Sequence, residues 1–328
     1  MKKLEINSIR ENLQQYPTIS RIISSIAFGD AMGLPWKNLP ARCIPQDNRV
    51  LFDMPNRMVS DDTEHALFTL AALTNPGRSF EDNIRERFQS WVKGYPPSLG
   101  GATLQAGIRS VCGVRKSGVR SQGNGALTRA VVIGAAISDP IQRIEMVNTS
   151  TLLTHNDPVA YACAQMTAEM ISARIENRLP IILNSLGEWM GPMESAIDRM
   201  PLSDLMISCG VLLENGVTGH APVTLAIALQ RASVHQQVED AVISTVALGG
   251  DVDSAAALAG AFAAASGSNP PINWDLLLND WVWSDLAPKI FAGGDWPRNL
   301  DQIRRRNMEQ FGWILKLMFG MRLKARLS

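Results

Sequence analysis

The chain is short of nearly every feature that would assign it quickly. Its 328 residues include only four cysteines (Cys43, Cys112, Cys163 and Cys209), widely separated and with no CxxC pair. That usage argues against a structural zinc site or a disulfide framework, and makes a reducing cytoplasm the simplest expectation. No apolar run approaches the roughly 20 residues of a membrane span. The opening residues, MKKLEINSIRENLQQYP, lack the apolar stretch of a secretory signal. An excess of one charge is missing too, since Lys+Arg and Asp+Glu both count 31. No global field therefore gathers nucleic acid, and no nucleic-acid partner is expected. Runs of alternating β-branched residues, regular βα spacing and solenoid repeats are all lacking.

What is present is helical patterning. At 46% hydrophobic residues the chain has ample material for a buried core. Ile19, Ile22, Ile23, Ile26 and Ala27 recur at helical spacing before a break expected at Gly29-Asp30. An apolar helix is expected from Thr63 to Thr74, stopped by Asn75-Pro76-Gly77, and another over 126–137. Asn156-Asp157-Pro158 reads as a helix start, a capping side chain followed by proline where its missing N–H costs nothing. That helix should run to about Asn177. Two more helices, near 237–248 and 253–266, flank Gly249-Gly250, and the second is rich in alanine with Gly260 inside it. Small side chains let neighbouring helices approach closely, which places this segment in the middle of a bundle. The expectation is an all-α, single-domain orthogonal helical bundle over 1–328.

Two acidic turns stand out. Ser60-Asp61-Asp62-Thr63-Glu64 precedes an apolar helix, and Gly249-Gly250-Asp251-Val252-Asp253-Ser254 lies between two helices. Each alone can be helix capping: Asp61 with Glu64 fits a capping box, and Asp253 or Ser254 can start the alanine-rich helix. Together they offer four carboxylates and several hydroxyls, the oxygen-rich set that Mg²⁺ or Mn²⁺ prefers. Brought together without a counter-charge, those carboxylates would repel one another and their pKa values would rise. Neither turn has the twelve-residue spacing of an EF-hand.

Five segments in order resemble motifs of the ADP-ribosylglycohydrolase family. They are Gly29-Asp30-Ala31-Met32-Gly33, Ser60-Asp61-Asp62-Thr63, Gly123-Asn124-Gly125-Ala126-Leu127-Thr128-Arg129, Thr154-His155-Asn156-Asp157-Pro158 and Leu248-Gly249-Gly250-Asp251-Val252-Asp253-Ser254. Each is short, and it is their order that makes the resemblance specific. The resemblance implies a helical bundle around two divalent cations, Mg²⁺ or Mn²⁺, ligated by Ser60, Asp61 and Asp62 on one side and Asp251, Asp253 and Ser254 on the other. Asp62 and Asp253 are the expected catalytic residues. Gly123, Asn124 and Gly125 would bring backbone N–H groups to a diphosphate, and His155 would contact phosphate or ribose. The implied activity is metal-dependent removal of ADP-ribose from a modified protein side chain, arginine first, or from a small conjugate. The implied partner is therefore an ADP-ribosylated protein or conjugate.

Two departures support an alternative, a catalytically impaired member that binds ADP-ribosylated targets or a protein partner through the same pocket. Where relatives commonly read G-D-A-x-G-x-x-x-E, this chain has Lys37, and where some carry Asp it has Ser98. Glycosidic cleavage needs a positioned acid or base as well as an electrophile. Asp53, Glu64 and Asp30 are the candidate substitutes, Asp30 being the more structural. Inside the pocket, the Lys37 ammonium would pair with a diphosphate or displace one metal electrostatically. Beyond the motifs, 303–328 carries seven basic residues against Glu309, interleaved with Phe311, Trp313, Ile314, Leu315, Leu317, Met318 and Phe319. That pattern fits a final amphipathic helix packed on the bundle, or an arm for a protein partner or an anionic surface.

Overall fold

The computed structural model describes residues 16–45, 47, 51–52, 54, 56–75, 78–97, 99–180 and 216–327. Helices dominate: α1 (Tyr16–Gly33), α2 (Asp61–Thr74), α3 (Phe80–Lys93), α4 (Gly101–Val111), α5 (Leu127–Ala136), α6 (Pro140–Thr151) and α7 (Pro158–Ile175) come first. They are followed by α8 (Ala221–Val234), α9 (Val238–Val246), α10 (Val252–Ala265), the short α11 (Ala287–Phe291) and α12 (Asp301–Leu327). The described strands are two residues long, β1 (Leu39–Pro40) pairing antiparallel with β2 (Gly249–Gly250). Among the described residues no helix is long and apolar enough to cross a membrane.

Helix α10 is the axis of the bundle, packed by α1, α9 and α8. All of its residues are buried. A surface helix needs a polar face, so one that is apolar all round has to be enclosed by others. Its alanines and Gly260 let α1 come within backbone contact. A Cβ on Gly29 would lie 2.3 Å from the Ala256 carbonyl oxygen, and one on Gly260 2.6 Å from that of Ser25. This corrects the expectation at Gly29-Asp30. Helix α1 runs through both residues to Gly33, because the glycine serves close packing rather than a break. Gly33 carries the same contact to the top of α10, where its Cβ would meet the Asp253 Cα at 2.5 Å.

The other expected helices fall close to their limits. Helix α2 begins at Asp61 with Ser60 as its N-cap, and α7 begins at Pro158 with Asp157 as its cap. One continuous hydrophobic cluster runs from Ile19 in α1 to Ile303 in α12.

Candidate active site

The first acidic turn is held from below by α1. Asp30 is fully buried, and its Oδ2 accepts from the Ser60 N–H at 2.8 Å, the Thr63 N–H at 3.2 Å and the Thr63 hydroxyl at 2.5 Å. Asp30 therefore acts as scaffold, satisfying donors that the first turn of a helix leaves free. Ser60 Oγ accepts from the Asp62 N–H at 3.4 Å. Asp61 and Asp62 are thus placed at the positive end of the α2 macrodipole.

The second turn depends on glycine. Gly249 and Gly250 have φ of +70° and +84°, the left-handed region that side chains rarely adopt. A Cβ on Gly250 would lie 2.1 Å from the Val217 carbonyl oxygen. The Asp251 N–H donates to that same oxygen at 2.7 Å. Helix α10 starts one residue later, with Asp253 and Ser254 in its first turn.

These two turns meet. Ser254 Oγ donates to Asp62 Oδ2 at 2.7 Å, across 192 residues of sequence. Asn124 Nδ2 donates to Asp251 Oδ2 at 2.8 Å and to Thr224 Oγ1 at 3.1 Å, bringing the third motif to the same place. Lys37 arrives from the other side. Its backbone follows the 3₁₀ turn Leu34–Trp36 and precedes the Asn38 N–H, which donates to the Gly250 carbonyl at 2.7 Å. Lys37 Nζ lies 2.6 Å from Asp253 Oδ2 and 3.7 Å from Asp251 Oδ1.

Electrostatics follow from that crowding. Burial pushes the Asp61 carboxyl up to about 7; Lys37 opposes the rise, while Asp253 and Asp30 add to it. Burial likewise lifts Asp253 to about 6 against the pull of Lys37. Asp62 rises well above the carboxylate range, through burial first and then through Asp61, Asp30 and Asp253. The Lys37 ammonium is held well above its ordinary value, since Asp253 and Asp251 outweigh burial. Asp61 Oδ1 and Asp253 Oδ1 are buried without a hydrogen-bond partner.

The donor set is all oxygen and suits a hard divalent cation. Unpartnered oxygens on Asp61 and Asp253 are what such an ion would satisfy. Yet among the described residues no three His, Cys, Asp or Glu side chains converge closely enough to hold a metal. The Asp251–Asp253 corner is taken by the Lys37 ammonium.

The glycine turn and His155 pack against each other. Gly123 N–H donates to Ser121 Oγ at 3.2 Å and Asn124 N–H to the Gly219 carbonyl at 2.9 Å. Two of the donors expected for a diphosphate are therefore spent within the protein. The glycines instead make room for an imidazole: a Cβ on Gly123 would lie 3.0 Å from His155 Nε2, and one on Gly125 3.3 Å from His155 Cε1. Burial, followed by the Arg129 guanidinium, holds His155 down at about 4. It is a neutral ring at neutral pH, able to hydrogen-bond a ligand but not to pair with phosphate as a cation.

Sequence reasoning met two arginines only as a motif residue and as part of the basic C-terminal stretch, and gave neither a place at this site. Arg129 is fully buried and donates to Ser150 Oγ, the carbonyls of Ser150 and Gly125, and Thr154 Oγ1. It fastens the glycine turn to the segment carrying His155. Arg306 comes from the basic C-terminal stretch, yet it is buried, pairing with Glu64 at 2.5 Å and with Asp280. Glu64 also accepts from Trp91 Nε1 at 2.5 Å. Glu64 is thus neither a capping-box partner nor a spare acid, and Arg306 does not belong to an exposed arm. The readings for Asp53 and Ser98 lie outside the described residues.

The helical architecture and the joined acidic turns define a class before they define a member. A solved chain described as an ADP-ribosylglycohydrolase-related protein complex has the same fold, with a TM-score of 0.65 and 21% identity, covering 89% of this chain and 99% of that one. The ADP-ribosylglycohydrolase family model matches residues 18–293, and the chain belongs to that family. An uncharacterized protein of Archaeoglobus fulgidus is 25% identical over 289 residues, spanning 82% of this chain and 94% of that protein.

Proposed function

We propose that the chain cleaves ADP-ribose from a modified protein side chain, arginine first, or from a small conjugate. One observation carries the reading. The Ser254–Asp62 and Asn124–Asp251 hydrogen bonds join three motifs, far apart in sequence, into one polar cluster. Asp62 and Asp253 are assigned the catalytic role. Both are buried at the starts of apolar helices. Asp253, raised to about 6, can hold or release a proton near neutral pH, and Asp62 is raised well above the carboxylate range, so it holds a proton more tightly than a free carboxyl. Ser60, Asp61, Asp62, Asp251, Asp253 and Ser254 are the residues that would close around Mg²⁺ or Mn²⁺, and a bound ion would give a Lewis acid and a template for ribose hydroxyls. Gly123, Asn124, Gly125 and His155 form the adjoining wall for the ligand. Free thiols at Cys43 and Cys112 fit a reducing compartment such as the cytoplasm.

A second reading has its own observation. Asp253 Oδ2 is already engaged by Lys37, which favours a member that binds ADP-ribosyl groups without turning them over. The test is ADP-ribose release from an ADP-ribosylarginine substrate in Mg²⁺ or Mn²⁺. Release by the wild type, abolished in folded Asp62→Ala and Asp253→Ala, supports the enzyme. Tight ADP-ribose binding with no turnover on arginine-, serine- or acetyl-linked substrates supports the binder.

A further inference from the structure

The position of Lys37 is fixed by the backbone, unlike that of a flexible surface lysine. The residues just before it, Leu34, Pro35 and Trp36, are buried, and the residue after it is pinned to Gly250. Asn38 sits in the left-handed region at φ +63°, which asparagine tolerates better than most residues. The side chain is a quarter exposed and ends on Asp253, which is fully buried, with Asp251 as its second partner.

The oxygens around this ammonium divide into two groups. Asp253 Oδ2 and Asp251 Oδ1 face Lys37, and Asp251 Oδ2 is taken by Asn124. The orphaned carboxylate oxygens of the cluster are Asp30 Oδ1, Asp61 Oδ1 and Asp253 Oδ1. Position gives the same division. Lys37 Nζ lies 2.6 Å from Asp253 Oδ2 and 3.7 Å from Asp251 Oδ1, so a divalent ion seated on those two oxygens would meet the ammonium at contact distance, where like charges repel strongly.

We infer that the Lys37 ammonium is a built-in cation that fills one of two cation positions, so that the site takes at most one divalent ion. This rests on reading the four aspartates as a cation-binding corner, and not on the choice of substrate. One ion would satisfy the orphaned oxygens of Asp61 and Asp253, which Lys37 does not reach.

The experiment counts Mn²⁺ per full-length chain by calorimetry and by loss of the free-ion paramagnetic signal. Wild type is expected to bind one ion or fewer, and Lys37→Glu one more than wild type. Two ions on the wild type overturn the inference, as does an unchanged count in a folded Lys37→Glu protein or no ion on either. If Lys37→Glu does not fold, Lys37→Gln removes the charge at similar size and is expected to tighten Mn²⁺ binding about tenfold or more; unchanged affinity overturns the inference. ADP-ribose binding, measured in parallel, separates this outcome from failure of the functional reading.

Discussion

Arg306 and Glu64 meet at 2.5 Å although 242 residues separate them. The pair lies inside the bundle, and Asp280 completes it on the other side of the guanidinium. Burial alone would lower the arginine's proton affinity, but Asp280 and Glu64 more than reverse this. The match to the family ends at residue 293, so α12 reaches back from beyond it to neutralise a residue of the acidic turn. Arg306→Met would leave two buried carboxylates without their counter-charge. Stability should fall by about 3–5 kcal/mol, the usual cost of breaking a buried ion pair from one side. Urea unfolding measures it, and a loss below about 1 kcal/mol would mean the pair is solvated in solution.

Glycine at the α1–α10 crossing gives a second test. Gly29→Ala gains helix propensity, up to about 1 kcal/mol. Its Cβ would nevertheless lie 2.3 Å from the Ala256 carbonyl oxygen, which is backbone and cannot step aside. Overpacking should win, with a net loss of about 1–3 kcal/mol. Gly312, within α12, has nothing within 4 Å of its would-be Cβ. Gly312→Ala should stabilise by up to about 1 kcal/mol. Equal effects from the two substitutions would contradict the close crossing.

That pair of glycines also shows what was legible in the sequence. Helices α2, α7, α9 and α10 could be read from apolar spacing and capping residues, since those signals are local. Gly29 was misread because a helical glycine looks the same whether it breaks a helix or admits a neighbour, and Ala256 lies far away in sequence. The cluster of Asp61, Asp62, Asp251 and Asp253 was legible only through motif order. Glu64 and Arg306 were missed for the same reason as Gly29, their partners being distant. One local signal existed: Arg306, Asn307 and Gln310 follow Ile303 at helical spacing, a polar stripe on a buried face. Lys37 was legible as a departure, but its partners Asp253 and Asp251 lie more than 200 residues away in sequence.

His155 should be neutral throughout the physiological range. Its folded value is held down at about 4 by burial and Arg129, against about 6.5 for a free imidazole. The unfolded chain therefore takes up a proton first as pH falls. Stability from this group is complete above about 6.5 and is lost toward 4, by roughly 3 kcal/mol in all. Asp61 and Asp253 act in the opposite sense, because the folded state holds protons there that the unfolded state has released. A global melt mixes these effects, so the direct measurement is the imidazole NMR titration. A midpoint for His155 above 6 would show that the ring is solvated and free to meet phosphate as a cation.

Asn124 offers the sharpest probe of whether the glycine motif belongs to the acidic cluster. Its amide donates to both Asp251 and Thr224. Asn124→Ala removes two hydrogen bonds and should cost about 1–2 kcal/mol of stability. Asn124→Asp keeps the size but replaces a donor by a carboxylate next to Asp251, turning an attraction at 2.8 Å into a repulsion. If the cluster and the glycine turn form one ligand site, Asn124→Asp should weaken ADP-ribose binding by about tenfold or more, and more than Asn124→Ala does, because a like charge costs more than a missing bond. Calorimetric titration of ADP-ribose into the three folded proteins decides it. Equal affinity in wild type and Asn124→Asp would separate the glycine turn from the site and leave Asn124 a purely structural tie between Asp251 and Thr224.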